Sequence, residues 1–227
     1  MKKFIIIVIL IFFITGCAYY PHLTNIPLIE EKGELKLEGG ISVLPPFIHT
    51  SVSYGLTKNI AIQIAGDIGS DSHYYLQGMV GLFKNFPKNS IIELYCGFGY
   101  GYSRTLRNAN HGSLFGNYQS YFLQFDYGKF NKKIEYGLGL KSGYLYSKMT
   151  DNNFYNTFNE NIFTLKINNI IVEPTLFLRF GWEKLKIQTA IGACWLFQFT
   201  NTNKKLPYFP ASFGLGITYN FNTKREK

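Results

Sequence analysis

From residue 35 onward the chain alternates apolar with polar or small residues, starting at Leu35, Leu37, Gly39, Ile41 and Val43 and returning until Phe221. Successive side chains on a strand point to opposite faces, so this period of two predicts strands with one apolar and one polar face. Polar or Gly/Pro stretches divide the pattern into about ten segments. After the first they run roughly over 47–55, 60–69, 73–83, 90–103, 117–130, 133–147, 169–182, 185–199 and 211–221.

The connections alternate in length. Links at 56–59, 84–89, 131–132 and 183–184 are short, whereas 104–116, 148–168 and 200–210 are long and rich in Asn, with shorter polar links at 44–46 and 70–72. An up-and-down barrel with both chain ends on one side predicts this, because tight turns gather at one rim and loops at the other. The expected fold is therefore all-β: an antiparallel, up-and-down transmembrane β-barrel of about ten strands over residues 34–222.

The two faces differ in chemistry. One face carries Ile92, Leu94, Cys96, Phe98, Tyr100 and Tyr102 in one segment, and Ile170, Val172, Pro174, Leu176, Leu178 and Phe180 in another, with no charge among them. Between these positions fall Glu93, Tyr95, Glu173, Thr175 and Arg179. A soluble sandwich with its apolar face turned inward has the same periodicity. Segments of about 10 to 15 residues, longer than the usual five or six, favour membrane strands, as do the aromatic residues near segment ends.

The first residues carry their own signal. Lys2 and Lys3 precede a purely apolar run from Phe4 to Ile14, which marks residues 1–16 as an export signal peptide. Ile14-Thr15-Gly16-Cys17 resembles the bacterial lipobox, and the resemblance implies that Cys17 becomes the lipidated first residue of the mature chain. Residues 17–33, broken by Pro21 and Pro27, show no sustained period and are expected to form a periplasmic tether, with His22 in it. The last segment, from Phe213 to Phe221, resembles the C-terminal signal read by the barrel-assembly machinery, although a basic tail at 223–227 extends past it. Taken together, the segments resemble the small outer-membrane barrel lipoproteins of Bacteroidota, and the resemblance implies an outer-membrane location with a lipid anchor at Cys17. No acidic run follows Cys17, so the lipid is expected in the periplasmic leaflet.

Composition sharpens this picture. Among 227 residues there are 17 Tyr, 21 Phe and 22 Gly, and charged residues make up only 16%, which is low for a soluble protein. Loss of Lys2 and Lys3 lowers the formal net charge from +9 to +7. An exported chain does not meet nucleic acid, so the basic balance points to anionic lipid, including lipopolysaccharide. Cys96 and Cys194 fall on opposite faces of the wall by strand phase, which disfavours a disulfide.

The inward face collects acids and bases: Glu38, Asp67, Glu93, Asp126, Glu135, Lys141, Glu173, Arg179 and Lys186. Buried charges must pair or hydrogen-bond, and a barrel of this size is nearly filled by its own side chains. A largely plugged lumen is expected, leaving a structural or surface-interaction role ahead of a narrow channel or small-ligand carrier. A hydrolase using His49 or His73 ranks below both. His49, Asp67, Asp71 and His73 fall toward the loop end, but Ser51, two residues from His49, lies roughly 7 Å away along a strand, beyond a direct general-base contact. Neither a metal-ligand cluster nor a cofactor motif is present in the sequence, so no enzyme activity and no cofactor are expected. At the loop tips Arg104, Arg107, Lys204, Lys205 and Tyr208 combine cations with aromatics, suited to lipopolysaccharide phosphates, glycans or a protein.

Overall fold

The computed structural model describes residues 17–22, 25–69, 72–106, 113–152, 162–200 and 205–221. The alternating segments become β1 (Leu35–Leu44), β2 (Pro46–Gly55), β3 (Ile60–Gly69), β4 (Tyr74–Phe86), β5 (Ser90–Leu106), β6 (Ser113–Phe130), β7 (Ile134–Asn152), β8 (Ile162–Gly181), β9 (Leu185–Ala193), β10 (Trp195–Gln198) and β11 (Ala211–Asn220). All pairings among them are antiparallel. β1 to β8 pair in sequence order, β9 pairs with β8 and β11, β10 pairs with β8, and β1 pairs with β11 to close the sheet. β9 and β10 are two pieces of one barrel strand, since both pair with β8 in a single register, Gly192 opposite Thr175 and Trp195 opposite Val172. Cys194 interrupts them, its N–H donating to Pro210 O at 2.8 Å. The result is a closed barrel of ten strands, as the periodicity predicts.

Closure settles which face is inside. Leu94, Phe98, Ile170, Leu176 and Phe180 stand outward and exposed, while Glu93, Tyr95, Glu173 and Arg179 are buried within. The wall is thus apolar outside and polar inside, the reverse of a soluble sandwich. Cys96 is exposed and Cys194 buried, and both are free thiols, in keeping with their opposite phases.

Strand length sets the height of the wall. Ten residues at about 3.3 Å each, tilted about 40°, rise roughly 25 Å, the apolar band of an outer-membrane barrel. β1–β3 and β11 have that length, whereas β5–β8 run to 17, 18, 19 and 20 residues. Register places the surplus at the loop end: β4 begins at Tyr74 opposite Tyr102 and β5 continues past it, while β6 to β8 rise with β5. Above the apolar rows the outward face turns polar, with Arg104, Asn117, Lys148 and Lys166 exposed. Phe98, Tyr121, Tyr144 and Phe199 form a chain of ring contacts 5.1 to 6.4 Å apart just below them.

The apolar band can be tested at its middle. Leu176, 57% exposed, sits between Leu138 and Ile191 on neighbouring strands. Leu176→Arg is expected to destabilise the barrel by about 2–4 kcal/mol when refolded into lipid vesicles, the cost of a cation near the bilayer midplane. An unchanged urea midpoint would put this face in water.

Candidate functional site: the occupied lumen

The described part of residues 17–33 runs through the barrel instead of hanging from it as a tether. Ala18, Tyr19, His22, Asn25, Ile26, Leu28 and Ile29 are each 3% exposed or less, and Cys17 is 8% exposed. A segment without period forms no strand ladder of its own, so its backbone groups need other partners once buried. The wall supplies them.

At the loop end, the N–H groups of Ala18 and Tyr19 donate to Pro207 O at 2.8 and 3.1 Å, and Phe209 N–H donates back to Tyr19 O at 3.0 Å. The Ser103 hydroxyl donates to Ala18 O. Midway, Gln124 donates to Asn25 O at 3.0 Å and Arg179 to Ile26 O at 2.7 Å. Toward the turn end, Glu93 accepts from the N–H groups of Leu28 and Ile29 at 3.0 and 2.7 Å, and Lys36 Nζ donates to Leu28 O at 2.6 Å. Gly33 N–H reaches Gly55 O at 2.7 Å, where the segment turns into β1.

Side chains lock the same path. The Tyr19 hydroxyl donates to Glu173 at 2.8 Å. His22 Nδ1 pairs with Asp67, and its ring lies 3.5 Å from that of Tyr75 at an interplanar angle of 7°. Ile26 and Leu28 occupy space left by inward glycines: a Cβ on Gly139 would come within 2.7 Å of Ile26, and one on Gly128 within 2.6 Å of Leu28. Gly97, Gly99 and Gly101 likewise make room for the rings of Phe122, Tyr75 and Tyr118.

These glycines make a prediction. A Cβ at Gly99 would stand 2.0 Å from the Tyr75 hydroxyl, whereas one at Gly78, on the outer face, would have nothing within 4 Å. Gly99→Ala is expected to cost about 1–3 kcal/mol by overpacking the Tyr75–His22 stack. Gly78→Ala is the matched control, and equal urea midpoints for the two would contradict the packing described.

All nine charged residues expected in the lumen lie there, buried. They form two ionic clusters, with the remaining acids held by other groups. Arg179 contacts Glu38 at 3.1 Å and Glu135 at 3.2 Å, and Lys186 contacts Glu135 at 2.5 Å. Gln188 bridges Arg179 and Glu38. Nearer the loop end Lys141 lies 3.6 Å from Glu173, 3.0 Å from Gln77 and 4.3 Å from the centre of the Phe122 ring. Pairing with cations is not universal: Glu93 accepts from amides of the inner segment 17–33, the strap, and one oxygen of Asp126 accepts from Gln124 at 2.8 Å while its other oxygen has no hydrogen-bond partner among the described residues. Strand phase also turns Lys36 inward, but it does not supply its pairing with Glu34 at 3.2 Å or any contribution of His22 and Tyr19. The inward glycines at 128 and 139 are the sequence signal that something other than the wall fills the lumen.

The histidines gather as their positions suggest, but around the strap. His49 lies opposite Asp67 in register, and His73 stacks near His22 with ring centres 5.9 Å apart. Both are buried, and neither imidazole has a hydrogen-bond partner among the described residues. Asp71 lies outside the described residues. No group of three or more metal-ligating side chains that could hold a metal ion is found among the described residues. Of the loop-tip residues, Arg104 and Lys205 are exposed, while Arg107 and Lys204 lie outside the described residues, as does the basic tail 223–227. Tyr208, expected as a surface contact, is half-buried and pairs with Tyr19 of the strap.

No protein-family model matches the chain, and no curated protein does. Solved structures do. The outer membrane protease OmpT from Escherichia coli aligns with a TM-score of 0.57 at 9% identity, covering 83% of this chain and 93% of OmpT. The translocator domain of the autotransporter NalP from Neisseria meningitidis aligns at 10% identity and a TM-score of 0.38, over 83% of this chain and 86% of that domain. The N-terminal β-barrel domain of Pseudomonas aeruginosa OprF aligns at 12% identity and a TM-score of 0.35, over 84% of this chain and 98% of the domain. The OmpT alignment speaks for the fold alone: this chain has the closed, antiparallel architecture of the outer-membrane β-barrels.

Proposed function

We propose that the chain is a lipid-anchored barrel of the bacterial outer membrane, with a sealed body that serves a structural or surface-interaction role. The observation that carries this reading is the occupied lumen: the strap is bonded to the wall at its loop end, its middle and its turn end. A lumen filled in this way by the described residues works against diffusion, which ranks a narrow channel second. Short turns then face the periplasm and the tall wall of β5–β8 projects outside.

Catalysis by His49 or His73 has less support. The His73 ring is buried against that of His22, and its imidazole has no hydrogen-bond partner among the described residues. His49 has no hydroxyl or thiol within bonding distance among the described residues.

The projecting wall is the working surface we favour, with lipopolysaccharide as its partner. Lys148 and Lys166 are exposed and directly opposite one another on β7 and β8, with Arg104 exposed on the same wall. Like charges directly opposite on adjacent strands repel, and an anionic phosphate beside them turns the repulsion into attraction. Chains carrying both Lys148→Gln and Lys166→Gln are expected to keep the heat-dependent electrophoretic mobility of a closed barrel while co-purifying with several-fold less lipopolysaccharide. Undiminished lipopolysaccharide on a folded double variant would remove this surface from the proposal.

A further inference from the structure

We infer that the barrel carries its own amino-terminal segment across the membrane, so that Cys17 stands at the external mouth while Gly33 lies at the periplasmic rim. The inference rests on the outer-membrane reading above for which end is external, and on the strap for everything else.

The direction of the strap is fixed by its partners. Ala18 and Tyr19 bond to Pro207 in the connection between β10 and β11, and Ser103 near the top of β5 bonds to Ala18. Tyr19 also packs with Leu114 and Met149, which belong to the projecting parts of β6 and β7. At the other extreme Glu30 O accepts from Asn85, at the lower end of β4, at 2.5 Å, and Gly33 bonds to Gly55 at the end of β2. Tyr20 and Lys32 are twelve positions apart in sequence. At up to about 3.3 Å per residue that stretch reaches about 40 Å, enough to cross a hydrocarbon core of about 30 Å.

Two consequences follow for the anchor. With the lipid on Cys17, its acyl chains start from the external mouth and enter the outer leaflet, contrary to the periplasmic leaflet expected from the residues after Cys17. Returning Cys17 to the periplasmic side would withdraw the whole strap, leaving Glu93, Lys36 and Arg179 without the backbone partners that now satisfy them. Buried charged groups stripped of their bonds are costly. An acylated cysteine is also too bulky to be drawn through a lumen packed this closely, so the strap must be in place before β1 and β11 pair and close the wall around it.

Single-cysteine accessibility in whole cells tests the inference. Tyr20 is half-buried at the loop end and Lys32 is exposed at the turn end. Tyr20→Cys is expected to react with a membrane-impermeant maleimide on intact cells, and Lys32→Cys only after the outer membrane is permeabilised. Protection of both positions until permeabilisation overturns the inference. If Tyr20→Cys lacks the heat-dependent mobility of a closed barrel, a short epitope inserted between Cys17 and Ala18 asks the same question of an antibody on intact cells. Palmitate incorporation that is lost in Cys17→Ser reports the anchor independently of its side. Palmitate on a chain whose Tyr20→Cys form is protected means that the anchor reading stands and threading fails. Labelled Tyr20→Cys on a chain that takes no palmitate means the opposite.

Discussion

Deleting residues 18–30 is expected to turn a silent barrel into a conducting one. Full-length protein in a planar lipid bilayer should give no discrete current steps, because Tyr19, His22, Asn25, Ile26, Leu28 and Ile29 fill the lumen at exposures of 3% or less. Without them, the cross-section that glycines 128 and 139 leave open beside the wall becomes water. The charged residues that lined the strap, including Glu93, Lys36 and Arg179, would then face that water and be resolvated. An eight-stranded barrel is just filled by its own side chains, and ten strands are wider, so the emptied lumen should pass small ions. Equal silence from a deleted chain that still shows heat-dependent mobility would mean that the side chains alone seal the barrel, and the strap would lose its role as plug. Should the deletion prevent folding, His22→Ala with Tyr19→Phe loosens the upper strap while leaving the backbone, and intermittent current is the expected result.

The second large effect is at Arg179. Its guanidinium contacts Glu38 at 3.1 Å, Glu135 at 3.2 Å and Ile26 O at 2.7 Å, and it is fully buried. Arg179→Met keeps much of the side-chain volume and removes every one of these bonds. The loss is expected to cost about 3–5 kcal/mol, the usual result of leaving a buried charge without its partner. Glu135 keeps Lys186 at 2.5 Å, so the main orphan is Glu38. Adding Glu38→Gln should therefore restore part of the stability, and the double-mutant cycle reads the coupling directly. Urea midpoints in lipid vesicles are the measurement. A single variant as stable as the parent, or a double variant whose loss is the plain sum of the singles, would mean that this cluster only fills space.

How much was legible in advance can be followed residue by residue. Strand phase placed Glu38, Asp67, Glu93, Asp126, Glu135, Lys141, Glu173, Arg179 and Lys186 inside, and all nine are buried there. Which of them pair was not legible, because pairing depends on reach across strands far apart in sequence: Arg179 and Glu38 are separated by 141 residues. Nor was it legible which acids would be held by hydrogen bonds and not by cations, as Glu93 is by the amides of Leu28 and Ile29. Tyr208 read as a loop-tip contact because it follows Lys204 and Lys205 and adds an aromatic to their cations, yet its backbone bridges to Tyr19 and its half-buried ring packs on the cluster that holds Tyr19.

By itself the sequence determined the barrel. Alternation with a period of two, interrupted at short and long links in turn, leaves few ways to satisfy a backbone whose outward face is apolar, and closure is the one that leaves no edge unpaired. Only the tertiary structure decided what fills it. The described residues of 17–33 show no period because most of their backbone bonds come from far along the chain; apart from Glu34, which serves Glu30 and Glu31 locally, those partners lie on β1, β2, β4, β5, β6, β8 and the β10–β11 connection. A segment that borrows its hydrogen bonds from distant strands looks like a linker until the strands are brought together around it.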